Sequence, residues 1–225
     1  MIKFGHRGAM GYEPENTLIS FQKAIELNVD AVELDVYVCK TGELVVIHDD
    51  KVNRTTNGTG YVAEKTLEEL RLLDAGKGEK IPTLQEVFDL IDKRVKVNIE
   101  LKGVGTAEPV AQMIQDYVTN KSWTKDHFMV SSFNHHELKK FNKLNPEIKI
   151  GALISGIPIS YAEFAEKIGA FSINLDIDFI NQEFVDDAHQ RGLKVYVWTV
   201  NDHDDIARMK ALGVDGMFSN FPDRL

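Results

Sequence analysis

Short β-branched runs alternate with helical patterns along most of this chain, and each helical pattern carries apolar residues three and four positions apart. This alternation is typical of parallel βα units rather than of an all-β or an all-α domain. It predicts strands at residues 2–4, 31–38, 44–47, 95–101, 128–132, 148–154, 171–175, 194–199 and 214–218. It predicts helices at residues 16–27, 83–91, 108–118, 135–142, 160–168, 182–191 and 202–212.

Nine predicted strands are one more than a (β/α)8 barrel needs. The runs at 31–38 and 44–47 are separated by only residues 39–43, whereas a parallel crossover takes about a dozen residues or more. These two runs must therefore pair antiparallel or irregularly, so that one of them lies beside the barrel. We predict an α/β protein with a (β/α)8 TIM barrel, in which the last strand is not followed by a full helix.

Residues 49–81 do not continue the strand–helix alternation. They contain the turn-forming run Asn57-Gly58-Thr59-Gly60, a short helical pattern at 66–73 and few residues that could build a core alone. We predict a single domain over residues 1–225, with 49–81 as a small insertion over the barrel mouth, after the second βα strand.

Charge and composition exclude several classes of protein. The chain has 225 residues, with 26 Lys and Arg against 35 Asp and Glu, and its net charge of −9 repels nucleic-acid phosphates and anionic lipid headgroups. No apolar run approaches the roughly 18 residues of a membrane span, and the N-terminus carries no apolar segment of secretory length. We expect a cytoplasmic protein without nucleic-acid partners or stable membrane association. The oligomeric state does not follow from the sequence.

Carboxylates alternate with apolar residues on two of the predicted strands. In residues 95–101 the odd positions are apolar and the even ones, including Glu100, are polar; Glu33 and Asp35 likewise share one face of residues 31–38. A solvated antiparallel face would give the same pattern, but helices cover a parallel sheet on its outer side. We expect these three carboxylates to point into the barrel mouth around a cation, for which oxygen ligands favour magnesium, calcium or manganese over zinc.

Two histidines and two cations fall near the same strand ends. His6 and His48 each lie at the end of a predicted strand, Arg7 is next to His6, and Lys102 lies two residues after Glu100. A single histidine is more often structural than catalytic, but two at strand ends beside clustered carboxylates favour a catalytic pair. An acidic protein that binds an anion needs local cations such as these, because its overall field opposes anion capture.

Together these segments resemble the glycerophosphodiester phosphodiesterases, in their short bacterial cytosolic form. The resemblance covers essentially the entire chain in the family's order. The matching segments are His6-Arg7-Gly8, Pro14-Glu15-Asn16-Thr17, Glu33-Leu34-Asp35-Val36, Val45-Val46-Ile47-His48-Asp49, Arg54-Thr55-Thr56, Ile81-Pro82-Thr83-Leu84, Ile99-Glu100-Leu101-Lys102, Ser131-Ser132-Phe133 and Val197-Trp198-Thr199-Val200-Asn201.

The resemblance implies a TIM barrel that hydrolyses small glycerophosphodiesters, such as glycerophosphocholine or glycerophosphoethanolamine, to glycerol 3-phosphate and an alcohol. It also implies one divalent cation, magnesium or calcium, with manganese as an alternative. The residue roles that it implies are catalysis by His6 and His48, metal binding by Glu33, Asp35 and Glu100, phosphate contacts by Arg7 and Lys102, and substrate contacts by Phe133 and Trp198.

Two other classes of function fit parts of the pattern. A metal-dependent barrel lyase or aldolase would use Glu33 and Asp35 but needs no histidine at two strand ends. A phosphate-sensing binding module would keep the pocket without the chemistry, and the complete set of acid, base and ligand residues counts against it. A variant that acts on lysophospholipids would need exposed apolar loops, for which residues 154–159 are the candidate.

Overall fold

The computed structural model describes residues 1–225 and contains a closed ring of parallel strands with helices around it. The strands are β1 (Ile2–Gly5), β2 (Ala31–Val38), β3 (Leu44–Val46), β4 (Lys96–Leu101), β5 (Phe128–Ser132), β6 (Lys149–Ile154), β7 (Ser172–Asp176), β8 (Lys194–Trp198) and β9 (Gly216–Ser219). The α-helices are α1 (Leu18–Glu26), α2 (Leu67–Arg71), α3 (Leu84–Ile91), α4 (Ala107–Asn120), α5 (His135–Leu144), α6 (Glu163–Lys167), α7 (Gln182–Gln190) and α8 (His203–Leu212).

Hydrogen bonding closes the ring at β1, which pairs in parallel with both β2 and β9. The other barrel strands follow in the order β2, β4, β5, β6, β7, β8 and β9, all parallel to their neighbours. Strand β3 pairs antiparallel with the end of β2 and lies outside the ring. The predicted (β/α)8 TIM barrel and the extra strand beside it are therefore confirmed.

The two faces of a barrel strand pack against different groups of side chains, as β2 shows. Val32, Leu34 and Val36 of β2 belong to a cluster of 45 buried apolar residues that includes helix residues such as Phe21 and Phe88, so this face packs against the helices. The opposite face of β2 carries Ala31, Glu33 and Asp35, and Ala31 packs in a smaller cluster with aromatic side chains of β1, β8 and β9. The carboxylates of β2 therefore point into the barrel, as their alternation predicts.

Residues 49–81 form a turn at 51–61, a 3₁₀ helix (Val62–Glu64) and α2. Their apolar side chains Val52, Val62 and Leu70 are fully buried, in a cluster of eight residues to which the β2–β3 region also contributes Val45 and Ile47. The segment thus shares its small core with the strand pair that precedes it.

One predicted helix is shorter in the structure than its pattern indicates. The helix predicted at 160–168 is only Glu163–Lys167, because Tyr161 has a left-handed φ of 45° that a helix does not accept. After β9 the chain forms only a short 3₁₀ helix, Pro222–Arg224, in agreement with the missing final helix. The longest helix has 14 residues, and none has the length and apolar character of a membrane span.

Candidate active site

The strand register brings the three predicted carboxylates together at the carboxyl ends of β2 and β4. Asp35 lies directly opposite Glu100, and Glu33 lies opposite Asn98. One carboxylate oxygen from each of Glu33, Asp35 and Glu100 lies within 4.8 Å of the others, and all three residues are buried. The carboxyl end of the strands is the end at which TIM barrels carry their active sites.

These carboxyls share a site that disfavours their charge. Burial raises the pKa of Glu100 to about 7, and the negative charge of Asp35 adds to this effect. Burial together with the charges of Asp35 and Glu100 raises the pKa of Glu33 well above its usual range. Three acidic groups this close are stable as carboxylates only if a cation balances them.

The donor set fits a hard metal ion. Asp35 Oδ1 is buried and accepts no hydrogen bond, and the nearest ammonium, Lys102 Nζ, lies 3.8 Å away. The other oxygen, Asp35 Oδ2, accepts a hydrogen bond from Asn16 Nδ2 at 2.9 Å, which fixes the carboxylate plane. A free carboxylate oxygen in an all-oxygen cluster is a suitable ligand for a divalent cation, so Glu33, Asp35 and Glu100 can hold a metal ion.

A tight turn after β1 places Arg7 against the acidic cluster. Arg7 has a left-handed φ of 50°, and Gly8 follows with a φ of 84°. A Cβ on Gly8 would lie 2.6 Å from the backbone of Ser20, so only glycine fits this position. The turn directs the Arg7 backbone N–H to Glu33 Oε2 at 2.9 Å and its Nε to within 3.5 Å of Asp35 Oδ2.

Arg7 is also one of two arginines that hold Glu15. Arg7 Nη1 donates to Glu15 Oε1 at 2.8 Å, and Arg54 Nη1 donates to Glu15 Oε2 at 2.7 Å. Burial alone would raise the pKa of Glu15, but the two guanidinium groups lower it below its ordinary value. Glu15 is therefore a fixed carboxylate between two cations.

The two histidines have different partners. His6 Nδ1 lies 2.7 Å from Asn220 Oδ1, whereas His48 Nδ1 lies 2.6 Å from Asp49 Oδ1. Burial, followed by the charge of Arg7, lowers the pKa of His6 to about 4, so this imidazole is neutral near pH 7. His48 instead pairs with a carboxylate, that of Asp49.

Lys102 joins the carboxylates to His48. Its Nζ lies 2.9 Å from Glu100 Oε1 and 3.2 Å from His48 Nε2. Burial opposes its charge, but the charges of Glu100 and Asp35 outweigh that effect and raise the pKa of Lys102. This side chain is therefore a permanent cation inside the site.

Eight of the nine predicted site residues line one open cleft of about 380 Å³; they are His6, Arg7, Glu33, His48, Glu100, Lys102, Phe133 and Trp198. Asp35, the ninth, lies behind Glu33 and Glu100 at 1% exposure. The rings of Phe133 and Trp198 meet edge to face, with centroids 5.5 Å apart. The cleft therefore combines a charged floor with an aromatic wall.

Five residues near the cleft received no role from the sequence: Glu15, Asn16, Asp49, Arg54 and Asn220. Asn16, predicted to begin a helix, instead precedes α1 with a left-handed φ of 57° and directs its amide to Asp35. The matching segments already contained four of the five, but only the folded chain shows what each side chain contacts.

Comparisons with known proteins point to one class, the enzymes that hydrolyse phosphoric diesters. Residues 6–224 match the model of the glycerophosphoryl diester phosphodiesterase family. A glycerophosphodiester phosphodiesterase of Caldanaerobacter subterraneus is 41% identical over all of this chain and 96% of its own length. One from Bacillus altitudinis is 37% identical over 98% of this chain and 95% of its own.

A solved structure supports the same class. A phosphodiesterase of Oleispira antarctica, solved in complex with the product sn-glycerol-3-phosphate, superposes with a TM-score of 0.90. It is 33% identical, and the match covers 98% of this chain and 93% of that one. This chain therefore belongs to the glycerophosphoryl diester phosphodiesterase family and is a phosphodiesterase hydrolase.

The crowded carboxylates lead to a prediction about Glu100→Gln. In excess chelator, we expect the stability of the natural protein to fall relative to Glu100→Gln as the pH rises from about 4.5 to about 7. The reason is that the buried carboxyl holds its proton more tightly in the folded chain than in the unfolded one, so deprotonation favours unfolding. Urea unfolding at pH 5 and pH 8 measures the difference.

Glu183 is an exposed carboxylate on α7, so Glu183→Gln is the matched control and should show no such pH-dependent difference. Equal stability of Glu100→Gln and the natural protein at both pH values would contradict a destabilising cluster.

Proposed function

We propose that this chain hydrolyses glycerophosphodiesters such as glycerophosphocholine and glycerophosphoethanolamine to glycerol 3-phosphate and an alcohol, with a divalent cation and two histidines. The observation that carries the proposal is the buried cluster of Glu33, Asp35 and Glu100 in the same cleft as His6 and His48. The related structure that holds glycerol 3-phosphate supports this class of substrate.

Glu33, Asp35 and Glu100 would hold the cation, magnesium or calcium by preference of their oxygen ligands, with manganese as an alternative. When bound, the ion supplies charge neutralisation for the phosphoryl oxygens. Its positive charge would also offset the burial and the repulsion from Asp35 that raise the pKa of Glu100. The cation would therefore stabilise the fold as well as serve the reaction.

Arg7 and Lys102 bind the phosphate in this proposal. Both side chains line the cleft, and both are held in place by carboxylates rather than free to move in solvent. Fixed cations stabilise the charge that develops on a phosphoryl group without a cost of reorganisation. They also give the acidic protein a local positive surface where the substrate enters.

His6 acts as the general base in this proposal. Its Nδ1 donates to Asn220 Oδ1, which leaves Nε2 as a proton acceptor. Its lowered pKa, about 4, keeps it neutral near pH 7, the form that a base requires. The nucleophile that it deprotonates is water, or the neighbouring glycerol hydroxyl with a cyclic phosphate as the first product.

His48 acts as the general acid. Asp49 Oδ1 accepts a hydrogen bond from His48 Nδ1, so that Nε2 can give a proton to the departing alcohol. Lys102 Nζ, now near His48 Nε2, would turn toward the phosphate when substrate enters. The two histidines thus divide the proton transfers between the attacking and the leaving oxygen.

Lysophospholipids are a second class of substrate that one feature favours. Four consecutive loops at the carboxyl ends of β4, β5, β6 and β7 expose large apolar side chains, namely Val104, Phe133, Ile157, Ile159 and Phe179. Ile159 is fully exposed and Val104 is 83% exposed. An acyl chain on the glycerol could lie along this apolar rim while the phosphodiester occupies the cleft.

The first prediction for this function is that the chain releases glycerol 3-phosphate from glycerophosphocholine and loses this activity in excess EDTA. Magnesium, calcium or manganese should restore it, because the three proposed ligands are carboxylates. The same ions should raise the melting temperature of the natural protein and raise that of Glu100→Gln much less. Full activity after extended dialysis against chelator would remove the metal from the proposal.

This assay also separates the other classes. A barrel lyase or aldolase would release no glycerol 3-phosphate, and a binding module would bind substrate without turnover.

The second prediction concerns the two histidines. His6→Ala and His48→Ala should each lower kcat by about 100-fold or more, the usual size of a general acid–base contribution. The profile of kcat/KM against pH should be bell-shaped: activity rises as the pH passes about 4, where His6 loses its proton, and falls at higher pH, once the general acid is no longer protonated.

A substrate with p-nitrophenol as the leaving group separates the two roles. Its departure needs little protonation, so activity should be largely restored in His48→Ala but not in His6→Ala. The reverse result would exchange acid and base, and equal rescue of both would rule out the pair.

The third prediction concerns the apolar rim. If an acyl chain contacts it, Ile157→Ser combined with Ile159→Ser should raise KM for lysophosphatidylcholine and leave KM for glycerophosphocholine unchanged. Leu144→Ser is a matched control, because Leu144 is a half-exposed leucine at the end of α5, away from these loops. No turnover of lysophosphatidylcholine by the natural protein would dismiss this second substrate class.

A further inference from the structure

We propose that Arg54 is a positioning residue that holds both His48 and Arg7 in place, through Asp49 and Glu15. The inference rests on the proposed function, because it assigns Arg54 a role toward residues that act in that reaction. Arg54 lies in the 49–81 segment, outside the barrel strands, and does not line the cleft. Any effect that it has on the reaction must pass through its neighbours.

The Arg54 guanidinium uses all three of its nitrogens on two carboxylates. Nε donates to Asp49 Oδ2 and Nη2 to Asp49 Oδ1, both at 2.8 Å. Nη1 donates to Glu15 Oε2 at 2.7 Å and Nη2 to Glu15 Oε1 at 2.8 Å. Each carboxylate is therefore bound through both of its oxygens by one planar cation.

Each of these carboxylates in turn holds a group of the site. Asp49 Oδ1, one of the two oxygens that Arg54 contacts, also lies 2.6 Å from His48 Nδ1. Glu15 Oε1 accepts from Arg7 Nη1 at 2.8 Å. A chain of charge-assisted hydrogen bonds thus runs from His48 through Asp49, Arg54 and Glu15 to Arg7. It joins the histidine after β3 to the arginine after β1.

Arg54 also interacts with the negative charge of Asp49, the carboxylate that faces His48. Hydrogen bonds from Arg54 come first among the causes that lower the pKa of Asp49, and His48 adds to them. Without Arg54, the Asp49 carboxylate would interact with His48 alone. The carboxylate would also be free to rotate away from the imidazole.

The backbone around Arg54 is itself well held. Val52 is fully buried, and its carbonyl accepts hydrogen bonds from both the N–H and the hydroxyl of Thr56. Gly60 N–H donates to Asn53 Oδ1 at 2.9 Å on the other side of the same turn. The turn is therefore a rigid base for a side chain that is itself half exposed.

The geometry depends on a planar fork and not on charge alone. A lysine at this position keeps the charge but offers a single nitrogen, which cannot bind both carboxylates through both oxygens. Arg54→Lys therefore separates a positioning role from a purely electrostatic one. Arg71 gives the matched control, because it also lies in the 49–81 segment and pairs with Glu86 on α3, with no contact to the site.

The experiment is a double-mutant cycle between Arg54 and Asp49, measured as kcat and KM for glycerophosphocholine on folded, metal-loaded protein. Arg54→Met and Arg54→Lys should each lower kcat by about tenfold. Asp49→Asn should lower it as well, and adding Arg54→Met to Asp49→Asn should then cost much less than it costs alone. Groups that act through one contact are not additive.

A second readout does not depend on turnover. The imidazole ¹⁵N spectrum of His48, which reports which ring nitrogen carries the proton, should change in Arg54→Met and remain unchanged in Arg71→Met. Arg71→Met should also keep kcat within twofold of the natural protein.

Three results would overturn the inference: a kcat for Arg54→Met within twofold of the natural protein, full recovery with Arg54→Lys, or strict additivity in the cycle. Failure of the proposed function would look different, because His48→Ala would then keep its activity. An inactive His48→Ala beside an unaffected Arg54→Met would refute the role of Arg54 alone.

Discussion

The crowding of three carboxyl groups in a buried space is the constraint on which the rest of this site depends. Burial and mutual repulsion raise the pKa values of Glu33 and Glu100, so these residues cost stability until positive charge is supplied. Lys102 and Arg7 supply part of it, at 2.9 Å from Glu100 and 3.5 Å from Asp35. The same balance prepares the cleft for an anionic substrate, because the cations that relieve the carboxylates also face the opening.

The barrel makes this crowding tolerable. Parallel strands in register set Asp35 opposite Glu100, and the helices that cover the outer face of β2 and β4 bury Leu34 and Ile99 completely. The same strands thus carry an interior face whose crowded carboxyl groups destabilise the fold and an exterior face whose apolar packing stabilises it. The loop ends at the carboxyl edge then add His6, His48 and their partners without disturbing the apolar packing.

A series of ion pairs and hydrogen bonds extends outward from the site. Glu15 lies between Arg7 and Arg54, and Asp49 lies between Arg54 and His48. Glu15 therefore has a guanidinium group on each side, and Arg54 holds Asp49 through both of its carboxylate oxygens. Such a network explains how a segment outside the barrel, residues 49–81, is tied to the residues at its mouth.

The alternation of apolar and polar residues determined the barrel, the extra strand at Leu44–Val46 and the inward direction of the carboxylates, because strand periodicity is local and a crossover has a minimum length. Strand-end position and family resemblance together indicated the nine site residues. The tertiary structure alone decided the partners: Asn16 with Asp35, Asn220 with His6, and Arg54 with both Glu15 and Asp49. These pairs join residues up to 214 positions apart, or depend on left-handed turns such as that of Asn16. Periodicity carries no information about such contacts, because they are set by the closure of the whole ring.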